Sequence, residues 1–363
     1  MTTLVIGGGV VGMSVAYGLL KQGIRVTVID GSDTDARASR GNFGLVWIQG
    51  KGAKAPHYAA WSRSSAKLWQ GFAQDLKEVT GIDISFSQIG GVEYFTDADE
   101  LQQDAADLQG LRDHFKGDYP FEVLEHSRLK QLVPEIGPKV VGGIHSPMDG
   151  HVNPLLLLRA LSAAVQQMGG RLQTGAKVTD ITGADRAYTV TLETGERLEG
   201  EALVLAAGLG SADYGADLGF EAPVRPQQGQ VLITEKLPFF LKYPSGRIRQ
   251  VNEGGVQIGA SKAETGADTT DLPTLQELAR YAVDVFPLLE HVQLVRSWAA
   301  LRVMSPDGLP IYQRSAKYAG AHFVTCHSGI TLAAAHAGLL PDWIQDRNTA
   351  PDLSLFSESR FNV

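Results

Sequence analysis

The sequence predicts an α/β fold whose parallel sheet carries helices, interleaved with an α+β domain built on a mainly antiparallel sheet. Patterns of a buried strand followed by an amphipathic helix occur at the start, in the middle and at the end of the 363-residue chain. Two intervening stretches, 81–149 and 216–302, mix short alternating strands with charged helices. This change of pattern predicts that segments 1–80, 150–215 and 303–363 form one domain and that the intervening stretches form a second.

The N-terminal strand–turn–helix–strand pattern, LVIGGGVVGMSVAYGLLKQGIRVTVID, is the most informative segment. Its glycines Gly7, Gly9 and Gly12 have the spacing G-x-G-x-x-G, and its second strand ends on Asp30. In such a segment the first glycine permits a tight turn, the second lets a pyrophosphate approach the backbone, and the third allows the helix to pack closely on the strand. The positive end of the helix faces the phosphates, and the acidic residue accepts hydrogen bonds from a ribose. The segment therefore predicts a Rossmann-like dinucleotide-binding domain, without indicating which dinucleotide is bound.

The composition excludes several other classes of protein. A net charge of −8 argues against nucleic acid as a partner. Because Cys326 is the one cysteine, the chain cannot form an internal disulfide or a cysteine-based metal cluster, and it fits a reducing compartment. The histidines lack the H-x-x-x-H and H-E-x-x-H spacings of metal sites, and no apolar window approaches the ~20 residues of a membrane helix. We expect a cytoplasmic protein without a metal site or a transmembrane segment.

The region after this N-terminal fingerprint, residues 4–30, contains a turn and two lysines that could contact a cofactor or a partner. The turn Ser39–Asn42 can bring backbone donors and the cation of Arg40 near a pyrophosphate, and a solvated loop is the alternative. Lys51 and Lys54 could contact a second phosphate-bearing cofactor or a partner subunit, although lysines on the surface would look the same.

Hydrophobic periodicity predicts the elements that follow. Helices are expected from Pro56 to Val79, from Asp97 to Phe115 and from Pro154 to Met168. Two alternating strands, Tyr188–Leu192 and Arg197–Glu199, are expected to form a hairpin. These elements lead into the second strand of the nucleotide-binding type.

That strand, 202–206, is apolar throughout and ends in Ala206, Ala207 and Gly208. Small residues at the carboxyl edge of a parallel sheet let the backbone approach a bound cofactor. An ordinary strand end has the same appearance. The segment favours a flavin-type nucleotide domain only in combination with the N-terminal fingerprint and the strand pair before it.

An arginine stands out in the stretch before the C-terminal segment. After a helix predicted from Leu275 to Val285, an apolar run leads to Arg302, just before a loop bracketed by proline and glycine. The planar guanidinium group can hold a carboxylate with two parallel hydrogen bonds. A surface or capping arginine is the alternative.

The C-terminal segment FVTCHSGITLAAAHA predicts a strand, a turn at Ser328 and Gly329, and a helix from Ile330 to Leu340 that Pro341 ends. The positive N-terminus of this helix would suit the negative charge on N1 and the C2 carbonyl of a reduced flavin. A helix that only completes the core is the alternative.

Taken in order, these motifs resemble the FAD-dependent D-amino-acid oxidase superfamily, which includes glycine and sarcosine oxidases. The likeness spans nearly the whole chain. Within the superfamily, SRGNFGLVW at residues 39–47 and RVMSPDGLPIY at 302–312 look like the B (β) subunits of opine oxidases. That group is similar to the hydroxyproline dehydrogenase β subunits and to the C subunit of hydrogen cyanide synthase.

The resemblance implies a glutathione-reductase-like FAD-binding domain made of the first, middle and last segments, with the substrate bound by the inserted domain. It implies FAD contacts from the following residues: Gly7, Gly9, Val10, Val11, Gly12, Asp30, Ser39, Arg40, Gly41, Asn42, Val178, Ala206, Ala207, Gly208, Ser328, Gly329, Ile330 and Thr331.

The resemblance also implies partners. The expected protein is a β subunit that passes electrons to a second, α subunit or to a quinone pool, so membrane association through a partner stays open. Relatives of this type can carry FMN at a subunit interface and an iron–sulfur centre on the partner. With Cys326 alone, this chain cannot supply the four cysteines of an ordinary cluster.

Attachment of the FAD is predicted from one position. Monomeric sarcosine oxidases bind FAD covalently through a cysteine shortly before the loop that corresponds to Ser305–Asp307. The matching position here is Ala300, so non-covalent FAD is expected.

The resemblance implies that an amino-acid-derived substrate is oxidised at its C–N bond. Arg302 would fix the substrate carboxylate, hydride would pass to flavin N5, and the imine would hydrolyse to a 2-oxo acid and an amine. Four other functions remain open: a free-standing glycine, sarcosine or D-amino-acid oxidase, a hydroxyproline dehydrogenase subunit, a non-catalytic flavin subunit that relays electrons, and a nicotinamide-dependent dehydrogenase. Substrate-pocket candidates that the sequence does not rank are Tyr94, Tyr243, Arg247 and Arg249.

Overall fold

The computed structural model describes residues 2–31, 37–259 and 261–361. Its centre is a six-stranded sheet, which confirms the α/β fold that the sequence predicts. The strands pair in the order β17 (Ile311–Arg314), β18 (Ala321–Thr325), β12 (Ala202–Leu205), β1 (Thr2–Ile6), β2 (Arg25–Ile29) and β8 (Arg171–Gln173). Every pair is parallel except β17 with β18. The carboxyl ends of five strands therefore meet at one edge.

Both faces of this sheet are covered. One face buries Val5 and Val28 in a core shared with helices, namely α1 (Val10–Lys21), α2 (Pro56–Thr80), α5 (Pro154–Gln167) and α8 (Gly329–Gly338). The other face buries Leu4 and Leu203 in a second core. That core is completed by an antiparallel sheet of β11 (Arg197–Gly200), β10 (Ala187–Leu192) and β9 (Val178–Ala184). Because neighbouring residues of a strand point to opposite faces, burial on both sides explains the continuous apolar runs.

The two intervening stretches form antiparallel sheets. One sheet has the order β14 (Ile248–Gln250), β15 (Gly255–Ile258), β13 (Arg225–Lys236) and β16 (Leu294–Met304). The other has the order β4 (Gly91–Phe95), β6 (Gly142–Ser146) and β5 (Glu122–Glu125). A single core joins them, since Val92 and Tyr94 of the first stretch pack with Ile248, Val256 and Phe286 of the second. The domain boundaries themselves stay a prediction.

Shorter elements connect these layers. They are β3 (Leu45–Val46), which pairs with β7 (Gly150–His151), and the helices α3 (Ala98–His114), α4 (His126–Leu132), α6 (Ser211–Tyr214), α7 (Leu272–Val285) and α9 (Leu340–Ile344). No described helix has both the length and the apolar character that crossing a membrane would need.

Two helix ends differ from the sequence-based expectation by two residues or more. The helix predicted from Leu275 begins at Leu272, because the Asp271 side chain accepts a hydrogen bond from the Thr274 backbone N–H at 2.9 Å and caps the earlier turn. Pro341 does not end α8, which stops at Gly338; it lies in the first turn of α9. Proline suits a first turn because its missing N–H would have no partner there.

Candidate active site

A cavity of about 800 Å³ lies at the carboxyl edge of the parallel sheet. Residues at or just after the ends of β1, β2, β8, β12 and β18 line it. A crevice outside the carboxyl ends of parallel strands is the usual position of a nucleotide site in such folds. The predicted cofactor residues that line the cavity are Gly7, Gly9, Val10, Val11, Asp30, Ser39, Arg40, Asn42, Val178, Ala206, Ala207, Gly208, Gly329 and Ile330.

Two of the three fingerprint glycines, Gly7 and Gly9, line the cavity. Gly7 has a φ of +113°, and a Cβ on it would collide with the Ala206 carbonyl. Gly12 does not line the cavity, because it packs against the Gly7 carbonyl and leaves no space for a side chain. Gly8, which the spacing of the fingerprint does not single out, lines the cavity, and a Cβ on it would lie 2.8 Å from the Asp30 Cβ. The run of three consecutive glycines, residues 7–9, is the sequence feature that could have predicted Gly8 as a cavity residue.

Asp30 is held by a cation. Its Oδ1 lies 2.7 Å from Nη1 of Arg37, and the Asp30 side chain is 12% exposed. Arg37 also lines the cavity and was not predicted, because nothing in its local sequence indicates that its guanidinium group returns to Asp30. Ser39, from the same turn, accepts a hydrogen bond from the Val10 backbone N–H at 3.0 Å and so meets the first turn of α1.

The rest of the turn packs against β16 of the four-stranded antiparallel sheet. Gly41 does not line the cavity; a Cβ on it would collide with the Ala300 side chain, and its carbonyl accepts a hydrogen bond from Trp298 Nε1 at 3.1 Å. The Asn42 side chain accepts a hydrogen bond from the Gly44 backbone N–H at 2.7 Å. The contacts of Gly41 tie the turn to β16.

A polar cluster surrounds the N-terminus of α8. The Ser328 hydroxyl oxygen accepts hydrogen bonds from Lys51 Nζ at 2.6 Å and from the Tyr58 hydroxyl at 2.7 Å. Ser328 and Thr331 do not line the cavity, and the Thr331 hydroxyl accepts a hydrogen bond from the Trp47 backbone N–H at 3.2 Å. Lys51 thus has a defined contact next to a helix N-terminus.

Two groups beside this cluster are uncharged at neutral pH. The His327 side chain is exposed at the cavity, and desolvation by its surroundings, with the charges of Lys51 and Arg302, lowers its pKa. Burial raises the pKa of the Cys326 thiol to about 12. Both residues line the cavity, so its wall presents a neutral imidazole and a neutral thiol near the cations.

Arg302 lies on β16 and does not line the 800 Å³ cavity, whereas its neighbours Leu301 and Val303 do. Its Nη1 donates a hydrogen bond to the Gln228 carbonyl at 2.9 Å, and its guanidinium group lies over Gly229. Burial lowers the pKa of Arg302. No described carboxylate forms an ion pair with it.

Comparisons with known proteins cover the whole of this architecture. Residues 2–343 match the family model described as "DAO: FAD dependent oxidoreductase". The chain is 40% identical to the B subunit of opine oxidase from Agrobacterium tumefaciens and 39% identical to that from Rhizobium meliloti, in each case over 99% of this chain and 97% of the relative. The crystal structure of glycine oxidase from Geobacillus kaustophilus superposes with a TM-score of 0.90 at 25% identity, covering 99% of this chain and 98% of that one.

Proposed function

The chain belongs to the DAO family of FAD-dependent oxidoreductases, and from that premise we propose that it is the β subunit of a heteromeric opine or amino-acid dehydrogenase. The proposed reaction oxidises the C–N bond of an N-substituted amino acid and yields a 2-oxo acid and an amine after hydrolysis. The observation that carries this proposal is the identity of about 40% with the B subunit of opine oxidase along the full chain.

The described residues fit FAD. Gly7 and Gly8 line the cavity at positions where a Cβ would collide with Ala206 and Asp30, and the positive end of α1 faces the same space. We propose that Asp30 binds the adenosine ribose, with Arg37 fixing the carboxylate, and that the turn at Ser39–Asn42 borders the pyrophosphate. When bound, FAD supplies the acceptor for a hydride from the substrate.

The chain's own groups then bind and orient the substrate. Arg302 has no acidic partner among the described residues, and a substrate carboxylate would satisfy the guanidinium group with two parallel hydrogen bonds. Orientation of the reacting C–H accounts for a large part of the rate in such reactions. Lys51 and the N-terminus of α8 would place positive charge near N1 and the C2 carbonyl of the flavin, where negative charge is expected to develop on reduction.

The proposed partner is an α subunit. The matched opine oxidase chains are by name single components of a larger enzyme. Because Cys326 is the one cysteine, an iron–sulfur centre in the complex would belong to the partner. FMN at the subunit interface is part of the same proposal.

Anaerobic mixing tests the reaction, and co-purification tests the partner. Opines are expected to bleach the flavin of the purified protein faster than hydroxyproline or D-amino acids do. If no amine bleaches it, the chain relays electrons and does not oxidise the substrate itself.

A second candidate is a free-standing amino-acid oxidase, favoured by the likeness to glycine oxidase. It would turn over without a partner and give stoichiometric peroxide in air. The heteromeric enzyme is expected to give little peroxide and to need the partner for turnover.

A further inference from the structure

Asp149 carries a buried carboxylate that the proposed reaction has not yet used. The residue is fully buried in the loop between β6 and β7. Its Cβ packs beside Gly91 of β4, since a Cβ on that glycine would lie 2.8 Å away. Burial raises the pKa of the Asp149 carboxyl group to about 7. The ionised form is costly in such a position unless hydrogen bonds compensate for the lost hydration.

Three hydrogen bonds join this carboxylate to two consecutive residues. Its Oδ1 accepts a hydrogen bond from the backbone N–H of Ile48 and another, at 3.2 Å, from the backbone N–H of Gln49. Its Oδ2 accepts a hydrogen bond from the Gln49 side chain at 3.0 Å. Ser146 adds a hydrogen bond from its side chain. The carboxylate therefore fixes the backbone at residues 48 and 49.

Those two residues begin a tight turn, residues 48–51, which we call the Lys51 turn. The Lys51 N–H donates a hydrogen bond to the Ile48 carbonyl at 3.0 Å, and Gly50 has a φ of +76°, as in a type II turn. The Tyr119 hydroxyl donates to the same carbonyl at 3.0 Å. Side chains from the inserted stretch thus hold the first half of the turn, and its last residue is the lysine.

The charge at the end of this turn reaches the cavity wall. Nζ of Lys51 donates a hydrogen bond to the Ser328 hydroxyl at 2.6 Å, beside the N-terminus of α8. Desolvation first and the Lys51 charge second lower the pKa of His327, which lines the cavity. Because a lysine side chain has four flexible methylene groups, its ammonium group stays in one place only if its backbone is held there.

We propose that Asp149 is a positioning residue: it fixes the Lys51 turn, so that the Lys51 ammonium group stays beside the flavin site at the N-terminus of α8. This inference rests on the proposed function, in which that charge stabilises the reduced flavin. Asp149 does not line the cavity and acts through Lys51. The direction of the effect separates this role from a direct one. The negative charge of Asp149 would itself lower the flavin reduction potential, whereas holding a cation in place raises it.

Reduction potentials of the FAD-loaded protein test the inference without any amine. They are measured by spectroelectrochemistry at about pH 8, where Asp149 is mostly ionised. Asp149→Ala is expected to lose roughly three- to tenfold in the equilibrium constant for flavin reduction, and the tenfold loss equals a fall of about 30 mV for a two-electron couple. An unchanged or higher reduction potential would overturn the inference.

Glu358→Ala is the matched control. Glu358 is also a buried carboxylate that accepts hydrogen bonds from two consecutive backbone N–H groups, those of Glu221 at 3.2 Å and Ala222 at 3.3 Å. Its removal is expected to leave the flavin reduction potential at the wild-type value. An equal fall in both variants would mean that loss of any such buried contact lowers the potential, and it would refute a specific role for Asp149.

A double-mutant cycle shows whether Asp149 acts through Lys51. In a Lys51→Met background, Asp149→Ala is expected to change the equilibrium constant for flavin reduction by less than about twofold, because no cation remains to be misplaced. The same loss in both backgrounds would overturn the inference. A wild-type potential in Lys51→Met alone would also overturn it.

Asp149→Asn separates the hydrogen bonds from the charge. Its amide oxygen can still accept from the backbone N–H groups of Ile48 and Gln49. Gln49 Oε1 has no hydrogen-bond partner among the described residues, so the Gln49 amide can rotate to face the introduced amino group. The reduction potential of Asp149→Asn is expected to be no lower than that of the wild type. A fall as large as in Asp149→Ala would contradict positioning through these hydrogen bonds.

If Asp149→Ala does not retain FAD, Asp149→Ser takes its place in the cycle. Its hydroxyl can still accept one hydrogen bond, so a loss of about two- to fivefold is expected in the wild-type background and none with Lys51→Met. Equal losses in the two backgrounds would refute the inference.

Amide hydrogen exchange of the FAD-free protein tests the turn itself. Exchange at residues 48–51 is expected to be about tenfold faster in Asp149→Ala than in the wild type or Glu358→Ala, because the turn opens more often. Unchanged exchange would overturn the inference. Neither measurement needs turnover: if no amine bleaches the flavin, the proposed function fails while the role of Asp149 is still decided by the potentials and the exchange rates.

Discussion

Nζ of Lys51 lies 2.6 Å from the hydroxyl oxygen of Ser328, the residue that precedes the first turn of α8. The two residues are 277 positions apart, and their contact adds a full positive charge to the positive end of a helix.

The substitution Lys51→Met is expected to lower the reduction potential of the bound flavin by on the order of 30 mV, because a nearby cation stabilises the negative charge of the reduced form. Spectroelectrochemical titration of the holoprotein measures this. Lys67→Met, which removes an exposed lysine from α2, serves as the control. If the reduction potential of Lys51→Met equals that of the wild type, the charge of Lys51 does not stabilise the reduced flavin.

The substitution Arg302→Ala is expected to weaken substrate binding by about 10- to 100-fold, since a charged hydrogen bond to the carboxylate is lost. Arg302→Lys should recover part of the affinity through its charge. Rapid-reaction measurements of flavin bleaching give the dissociation constant and the limiting rate separately. If both parameters match the wild type, the carboxylate is bound elsewhere.

The substitution Asp30→Ala is expected to reduce FAD affinity by roughly tenfold, because the ribose loses an acceptor and Arg37 loses its partner. The FAD retained after gel filtration at low protein concentration is the measurement. Asp83→Ala removes an exposed carboxylate that pairs with Lys77 and should retain FAD normally. Equal retention in both variants would contradict a ribose contact.

FAD is expected to be non-covalent. The position matching the attachment cysteine is Ala300, whose side chain faces Gly41 and cannot form a thioether. Acid precipitation should therefore release all the flavin into the supernatant. Flavin fluorescence in the washed pellet would show a covalent link through another residue.

Acidification below about pH 6.5 is expected to destabilise the fold. Burial lowers the pKa values of His151 and His336 to about 3 and that of His322 to about 4. The unfolded chain binds protons at these groups near pH 6.5, so the free energy of unfolding falls as pH drops from there towards 4. Asp149, which is buried, and Glu93, which is half-buried, have pKa values that desolvation raises to about 7. They act in the opposite direction, because the folded state holds their protons.

The substitution His336→Gln should reduce the slope of unfolding free energy against pH by about 1.4 kcal/mol per pH unit between pH 4 and 6. Urea unfolding at several pH values measures it. His114→Gln, at an exposed position, should leave the slope as it is. A common slope in all three proteins would mean that His336 is protonated in the folded state.

Local patterns predicted the fingerprint, the parallel strands and most helices, because each depends on residues a few positions apart. Pairs formed over long sequence distances were not predictable in this way. Nothing near Arg249 indicates that Val152 and Gln257 will be its hydrogen-bond partners, and nothing near Lys51 indicates Ser328. The position of the Arg302 guanidinium group over Gly229 depends on strand register, which only the paired sheet defines.

The strand order also determines when a newly made chain can hold its cofactor. β1 lies between β2 and β12, and the edge it forms is completed by β18 and α8, which follow residue 320. During synthesis, β12, β18 and α8 are therefore made long after the N-terminal fingerprint, and the cofactor site is incomplete until they exist. FAD is therefore expected to bind late in synthesis or after it. Until then the incomplete sheet exposes apolar surface that a chaperone can recognise.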